Sequence, residues 1–358
     1  MSRFLSRRFA GIRPYVPGEQ PQDRGYIKLN TNESPFPPAP GVLKALSPDE
    51  ITRLNLYPDP DARRATERIA ARYGLAYENA LLGNGSDELL SFCFQAFCDK
   101  DTPAYFPNLS YGFYRVFAAV QGVEARAIPL DEKLHIRPED YAGAEGTIFL
   151  ANPNAPTGLA LTRAQIEGIL RANRNRVVVI DEAYVDFGAE SCCTLASEYD
   201  NLIVVQTMSK SRNLAGARLG YALGDRALIA DLNTMKFSFN PYNINRLSLL
   251  IGAAAIEDEA YFQRCTGQIV ENRGFITEAL RARGFDVTDS LANFIFARPA
   301  GGMGGGAYYS LLKRHGVLVR HFDDPLICDY VRITVGTREQ MQALLDATDR
   351  IMAGGAGS

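Results

Sequence analysis

Lys210 lies in Thr207-Met208-Ser209-Lys210-Ser211-Arg212-Asn213-Leu214-Ala215-Gly216-Ala217-Arg218, just after the apolar run Leu202-Ile203-Val204-Val205. The stretch sets one amine among hydroxyls and a second cation on a Gly/Ala-rich turn. An amine held beside an anion site is what Schiff-base chemistry with pyridoxal phosphate requires. Lys210 would hold the aldehyde carbon, while Thr207, Ser209 and Arg218 hold the phosphate. Alone, the segment reads equally well as a polar strand-to-loop junction with a solvated Lys and Arg. Other segments supply the rest of such a cofactor shell.

Gly83-Asn84-Gly85-Ser86-Asp87-Glu88 precedes a helical pattern over Leu89 to Phe97. A glycine turn that opens a helix aims free N–H groups at one point, where an anion fits. Ordinary capping by Ser86 or Asp87 is the favoured reading of this segment by itself. Pro107-Asn108-Leu109-Ser110-Tyr111-Gly112-Phe113-Tyr114 follows a strand end, where ligands bind in parallel sheets, and Tyr111 could stack on a flat ring or simply sit in the core. Val177-Val178-Val179-Ile180-Asp181-Glu182-Ala183-Tyr184 places an acid at the end of an apolar strand. Asp181 could pair with a protonated pyridine nitrogen and keep the ring an electron sink, with Tyr184 bonding the ring oxygen. A strand-end Asp can also cap a helix or bind a metal, but no P-loop pattern lies upstream. Arg320 and Arg332 each interrupt an apolar strand, so each either faces inward towards an anion or outward into water.

Several function classes fall away. Net charge is −3, which offers nothing to nucleic acid. Six cysteines without a C-x-x-C pair read as reduced thiols of a cytoplasmic protein. His135, His315 and His321 show no metal-ligand spacing and no candidate nucleophile nearby, so no metal is expected; His315 fits a helix end. The most apolar stretch, Leu247 to Ile256, is half the length needed to span a bilayer. The Arg/Ser-rich start faintly suggests a transit peptide, yet reads better as a folded arm. Gly302-Met303-Gly304-Gly305-Gly306-Ala307 fits a dinucleotide fingerprint, with Asp323 at the right distance. An NAD-linked oxidoreductase is therefore the alternative from another class. Too little chain follows to complete such a half-domain, and a flexible surface loop explains the glycines better.

The elements that must position these groups alternate. Apolar strands at Ala104 to Phe106, Thr147 to Ala151, Val177 to Ile180, Leu202 to Gln206 and Leu219 to Ala222 are separated by helices such as Arg163 to Arg171. Continuous apolar runs of this kind argue a mostly parallel sheet covered on both faces. A helix spans Ala62 to Tyr73, and a long helical region runs from Arg246 to Arg283. A small α+β unit follows: strand Phe294 to Ala297, helix Ala307 to Arg314, strands Val317 to Phe322 and Tyr330 to Thr334, and helix Arg338 to Met352.

Together these segments, with Leu29-Asn30-Thr31-Asn32-Glu33-Ser34-Pro35, Tyr57-Pro58-Asp59, Asn152-Pro153-Asn154-Ala155-Pro156-Thr157-Gly158 and Arg332-Ile333-Thr334-Val335-Gly336, resemble the histidinol-phosphate aminotransferases over nearly the whole chain. The resemblance implies a fold-type I pyridoxal-phosphate α/β enzyme. It would have an arm (1–27) that packs with the small domain and partner subunit, a large domain (28–250) with a mostly parallel seven-stranded sheet, and a small α+β domain (251–358). It implies ping-pong exchange between L-histidinol phosphate plus 2-oxoglutarate and imidazole acetol phosphate plus L-glutamate, a step of histidine biosynthesis. Lys210 would carry the cofactor and move the proton, its pKa lowered by burial beside cations. Asp181 would pair with the ring nitrogen, Tyr184 bond the ring oxygen and Tyr111 stack. Gly85, Ser86, Asp87, Thr207, Ser209 and Arg218 would surround the phosphate. Tyr57 would reach the neighbouring subunit's phosphate, making a homodimer. Arg332 would bind the substrate's anionic end, with Arg320, Tyr15, Asn32 and Glu33 completing the pocket. One position departs: many relatives carry Asn immediately before Pro-Thr-Gly, and here it is Ala155, so Asn154 or Asn152 is expected to substitute. An aromatic aminotransferase or a threonine-phosphate decarboxylase of the same fold is the nearest alternative.

Overall fold

The computed structural model describes residues 2–9, 11–23 and 25–354. Its strands are β1 (Ile27–Lys28), β2 (Ala80–Gly83), β3 (Ala104–Pro107), β4 (Ala125–Ile128), β5 (Thr147–Ala151), β6 (Val178–Asp181), β7 (Leu202–Thr207), β8 (Gly220–Gly224), β9 (Asp286–Val287), β10 (Phe294–Arg298), β11 (Val317–Leu318), β12 (Arg320–His321) and β13 (Val331–Thr334). Seven of them form one sheet in the order β2-β8-β7-β6-β5-β3-β4. Only β8 runs against its neighbours; the other six share one direction. The expected mostly parallel α/β sheet is therefore the observed one.

The apolar runs explain its burial. Ile148, Leu150, Val178, Ile180, Leu202 and Val204 enter one core with residues of helices Arg63–Arg72, Arg163–Ala172 and Arg246–Glu257. Phe149, Val179, Ile203 and Val205 alternate into a second core on the other face, with residues of helices Ser86–Phe97 and Arg226–Phe239. Side chains alternate across a strand, so a strand covered on both faces must be apolar throughout.

This topology gathers the chemistry at one edge. The parallel strands β5, β6 and β7 end at Ala151, Asp181 and Thr207, and β2 ends at Gly83. Because β8 is reversed, its first residue, Gly220, pairs with both Thr207 and Gly83. Arg218, two residues earlier, is thereby delivered to the same edge as the Gly85 turn.

A second sheet, β12-β13-β10-β9, is antiparallel throughout. Its core takes in Ile295, Val331 and Ile333 with Ile269 and Ile276 of helix Glu259–Ala282 and Leu344 of helix Arg338–Gly354. The chain near β1 is stitched to it: β1 pairs with β11, and Thr334 N–H donates to Leu29 O at 2.9 Å.

Four expectations need correction. The strand read over Val317 to Phe322 is two strands, because the chain changes sheets at Val319: β11 joins β1 and β12 joins β13. The long helical region is broken at Asp258, whose carboxylate caps the second helix by accepting from Tyr261 N–H. Helix Ser86–Phe97 is not capped by Ser86 or Asp87; Gly85 is its N-cap and makes no side-chain bond. The glycine-rich segment is not simply a surface loop. Helix Gly305–Arg314 begins within it, and a Cβ on Gly305 would meet Cys328 O and Tyr330 O at 2.7 Å. Gly305 serves close backbone packing beside an antiparallel sheet, while Gly301 and Gly302 form an open turn and the Asp323 side chain lies in solvent, so the dinucleotide reading fails.

Gly220 is the tightest joint between sheet and turn. A Cβ there would lie 2.6 Å from Ser86 N, 2.8 Å from Gly85 C and 2.9 Å from Gln206 O, all backbone atoms that cannot swing aside. Gly220→Ala should cost roughly 2 kcal/mol of stability in chemical denaturation and loosen whatever the Gly85 turn holds.

Candidate active site

A cavity of about 480 Å³ opens at the carboxyl edge of the large sheet and is closed from the other side by the small sheet and the arm. Lys210, Asp181, Tyr184, Tyr111, Ser86, Asp87, Thr207, Ser209, Arg218, Tyr15, Asn32, Arg320 and Arg332 all line it. The structure thus brings together most of the residues singled out from sequence.

Asp181 is buried, with two hydrogen bonds: Tyr114 Oη donates to Oδ2 at 3.1 Å, and Ala183 N–H to Oδ1 at 3.2 Å. Burial raises its pKa to about 7 against those two donors. A carboxylate so placed gains strongly from a cation, such as a protonated ring nitrogen. Lys210 is half-buried, and its Nζ donates to Thr31 O at 3.1 Å, 5.9 Å from the centroid of the Tyr184 ring. Burial, then Arg332, lower its pKa to about 8. The residues therefore hold an amine ready to be neutral and an acid in want of a cation within one pocket.

The anion end is built from Gly85, Thr207, Ser209 and Arg218. Gly85 has φ +78°, and a Cβ there would lie 2.6 Å from Arg218 Nη2, so only glycine lets the guanidinium approach the turn. Arg218 itself has a left-handed backbone, φ 51°. Thr207 Oγ1 and Ser209 Oγ are 3.0 Å apart, Arg218 Nη1 is 3.5 Å from Ser209 Oγ, and its Nη2 bonds Asp87 Oδ2 at 3.1 Å. Tyr111 Oη donates to Asp87 Oδ1 at 2.6 Å, and burial with Asp87 pushes its pKa far up, so it stays a neutral ring. Hydroxyls, a guanidinium and uncapped helix amides fit a phosphate, and the donor set as a whole fits pyridoxal phosphate.

The substrate side is more mixed. Arg332 faces the pocket with one hydrogen bond, Nη2 to Asn30 O at 3.2 Å, and no acid partner among the described residues; burial lowers its pKa. Arg320 also lines the pocket, but its Nη1 and Nη2 donate to Pro17 O and Val16 O, so it clamps the arm as well. Tyr15 of that arm stacks on Phe113 at 4.4 Å. Glu33 does not line the cavity; it pairs with Lys28 at 2.7 Å and accepts from Thr31 Oγ1 at 2.8 Å. Tyr57 is 77% exposed, away from this chain's own cavity, and stacks on Tyr242 at 4.4 Å. Neither Asn152 nor Asn154 is among the residues that line the cavity. Asn154 bonds Leu109 O, Thr157 and Ser110, and Asn152 bonds Leu161 twice, so both brace loops while the Ala155 methyl lines the cavity.

Sequence reasoning missed Tyr114, whose hydroxyl meets Asp181, and Phe322 and Ile327, which line the cavity from beyond β12. Tyr114 had a signal: it is an aromatic hydroxyl in the first turn of the helix that follows the β3 strand end, where the sheet gathers its ligand groups.

At the pKa of about 8, half the Lys210 amines are neutral, against about 0.3% for a lysine at its ordinary 10.5. The sign is that of a lowered lysine: the reactive neutral form gains as pH rises. Cofactor uptake by protein stripped with phenylhydrazine should accelerate up to about pH 8 and level off beyond it, followed by visible absorbance. Tyr114→Phe, which takes one of two donors from Asp181, should slow turnover by roughly tenfold in steady-state assays.

Residues 24–347 match the family described as aminotransferase class I and II. The chain is 46% identical over 347 residues to histidinol-phosphate aminotransferase of Brachyspira hyodysenteriae, covering 97% of this chain and 98% of that one. It is 48% identical over 346 residues to histidinol-phosphate aminotransferase 1 of Bradyrhizobium diazoefficiens, with 97% and 98% covered. The solved histidinol-phosphate aminotransferase of Sinorhizobium meliloti in complex with pyridoxal-5'-phosphate superposes with a TM-score of 0.88, at 22% identity and 99% coverage of each chain, a likeness of fold. By descent as well as by geometry, this chain belongs to the class I and II aminotransferases, among the histidinol-phosphate aminotransferases.

Proposed function

We propose that the chain transfers the amino group of L-histidinol phosphate to 2-oxoglutarate, with pyridoxal phosphate as cofactor, giving imidazole acetol phosphate and L-glutamate. The observation that carries this reading is the presence, unpaired in one cavity, of a Lys210 amine with a lowered pKa and a buried, cation-seeking Asp181. The names of the relatives, matched over nearly the full chain, support the substrate.

Bound pyridoxal phosphate supplies the electron sink for the pair left at the substrate's Cα. Asp181 would hold a proton on the ring nitrogen by offering a negative charge that burial makes strong. Tyr184 would bond the ring oxygen, Tyr111 would pack on the ring, and Gly85, Ser86, Asp87, Thr207, Ser209 and Arg218 would hold the phosphate. Lys210 Nζ would anchor the cofactor and move the proton from the substrate's Cα. Arg332, with no acid beside it, binds the anionic end that both substrates carry, and Tyr15 and Asn32 shape that side.

The working form is a homodimer in the cytoplasm. Tyr57, with Leu54 and Leu56 beside it at 52% exposure each, projects from the surface, and Tyr57 would enter the partner's phosphate site. Among the described residues no helix is long and apolar enough to cross a membrane.

Amino-donor profiling tests the substrate. Histidinol phosphate should exceed phenylalanine in kcat/KM, and threonine phosphate should release no carbon dioxide; the reverse order of the first two would point to an aromatic aminotransferase. Lys210→Ala should abolish transamination while melting stays cooperative, and Asp181→Asn should lower kcat by roughly 10²- to 10³-fold.

A further inference from the structure

Asn32 has a left-handed backbone, φ 56°. Asparagine tolerates that conformation better than most residues, but it needs holding. Asn32 N–H donates to Thr334 Oγ1 at 2.9 Å, and Asn32 O accepts from Asn293 Nδ2 at 3.0 Å. Its amide side chain bridges two hydroxyls, with Oδ1 3.1 Å from Thr334 Oγ1 and Nδ2 3.0 Å from Tyr184 Oη. Asn32, Asn293 and Thr334 are all buried.

These bonds run in one direction. Thr334 Oγ1 accepts from the Asn32 backbone N–H, which can only donate, and gives its own proton to Asn32 Oδ1. That turns the amide's nitrogen towards Tyr184, and an amide N–H can only donate. Tyr184 Oη therefore accepts there, and its own proton must go elsewhere. Arg332 nearby is a donor and cannot take it, and Tyr184 Oη has no second hydrogen-bond partner among the described residues. The remaining direction is the cavity, which Tyr184 lines.

We propose that Thr334 and Asn32 are positioning residues that force the Tyr184 hydroxyl to act as a donor into the pocket, towards an oxyanion on the cofactor ring. This rests on the reading that the pocket binds pyridoxal phosphate, and it explains how strand β13 of the small sheet governs a bond made at the large one. The methyl of Ala155, which also lines the cavity, has no donor to offer for the same task.

A donor stabilises an oxyanion, so losing it raises the pH at which the bound chromophore gives up its proton. The test is a pH titration of the visible absorbance of the pyridoxal-phosphate-loaded protein. Tyr184→Phe should move the midpoint up by about one pH unit. Thr334→Val should move it the same way, Thr334→Ser should titrate like the unaltered protein, and Thr334→Val with Tyr184→Phe should shift no further than Tyr184→Phe alone. Asn32→Asp is the second variant if Thr334→Val does not fold. A carboxylate can only accept, so it draws the tyrosine proton away from the pocket, and part of its shift should vanish when Tyr184→Phe is added. The relay is overturned if Thr334→Val titrates like the unaltered protein, if its shift adds fully to that of Tyr184→Phe, or if the Asn32→Asp shift is the same with and without the tyrosine hydroxyl. A loaded wild-type protein with no visible band would overturn the pocket's assignment, and the relay with it.

Discussion

Burial of an acid and an amine that are not paired with each other is the constraint from which the site takes its character. Asp181 is buried at the end of β6, and its pKa rises to about 7; Lys210 is half-buried near Arg332, and its pKa falls to about 8. Neither group is given the other as a partner, since Tyr114 and Ala183 meet Asp181 and Thr31 O meets Lys210. Had they paired, each would have been held charged and unreactive. Keeping them apart in one cavity leaves both available to a ligand that brings its own cation and its own carbonyl.

The large sheet makes that separation possible. Asp181 and Thr207 come from adjacent parallel strands, so they share an edge but stand on different strand ends. The single reversed strand, β8, brings Arg218 to that edge from the opposite chain direction. Strain collects here: Asn32, Asn213 and Arg218, three non-glycine residues with positive φ, flank the lysine segment in sequence or space. Their neighbours hold them, as Asn213 Nδ2 does by donating to Pro37 O at 3.1 Å.

The small sheet does more than cover the pocket. It supplies Arg332, clamps the arm through Arg320, and orients Asn32 through Thr334. The arm carries Tyr15 onto Phe113 of the large sheet's flank, so both units touch the same short segment. A change in how the small sheet sits would reach Arg320, Arg332 and the Tyr184 hydroxyl together.

Much of this was legible in the chain. The alternating apolar runs specify strands buried on both faces, because any strand between two helical layers must be apolar throughout. The residue types around Lys210, Asp181 and Arg218 specify an amine, an acid and a cation near strand ends, and near strand ends is where a parallel sheet binds ligands. The short strands β2 and β4 escaped notice, the latter because Ala-Arg-Ala-Ile is part-exposed and weakly patterned. What tertiary structure alone decided was orientation. Asn154 and Glu33 have the right chemistry at plausible positions, yet their side chains bond loops and Lys28 instead. Conversely, the proton of Tyr184 is aimed through Asn32 by a threonine 302 residues away from it. A sequence lists donors and acceptors, but which way each one points depends on partners that only folding brings within hydrogen-bonding distance.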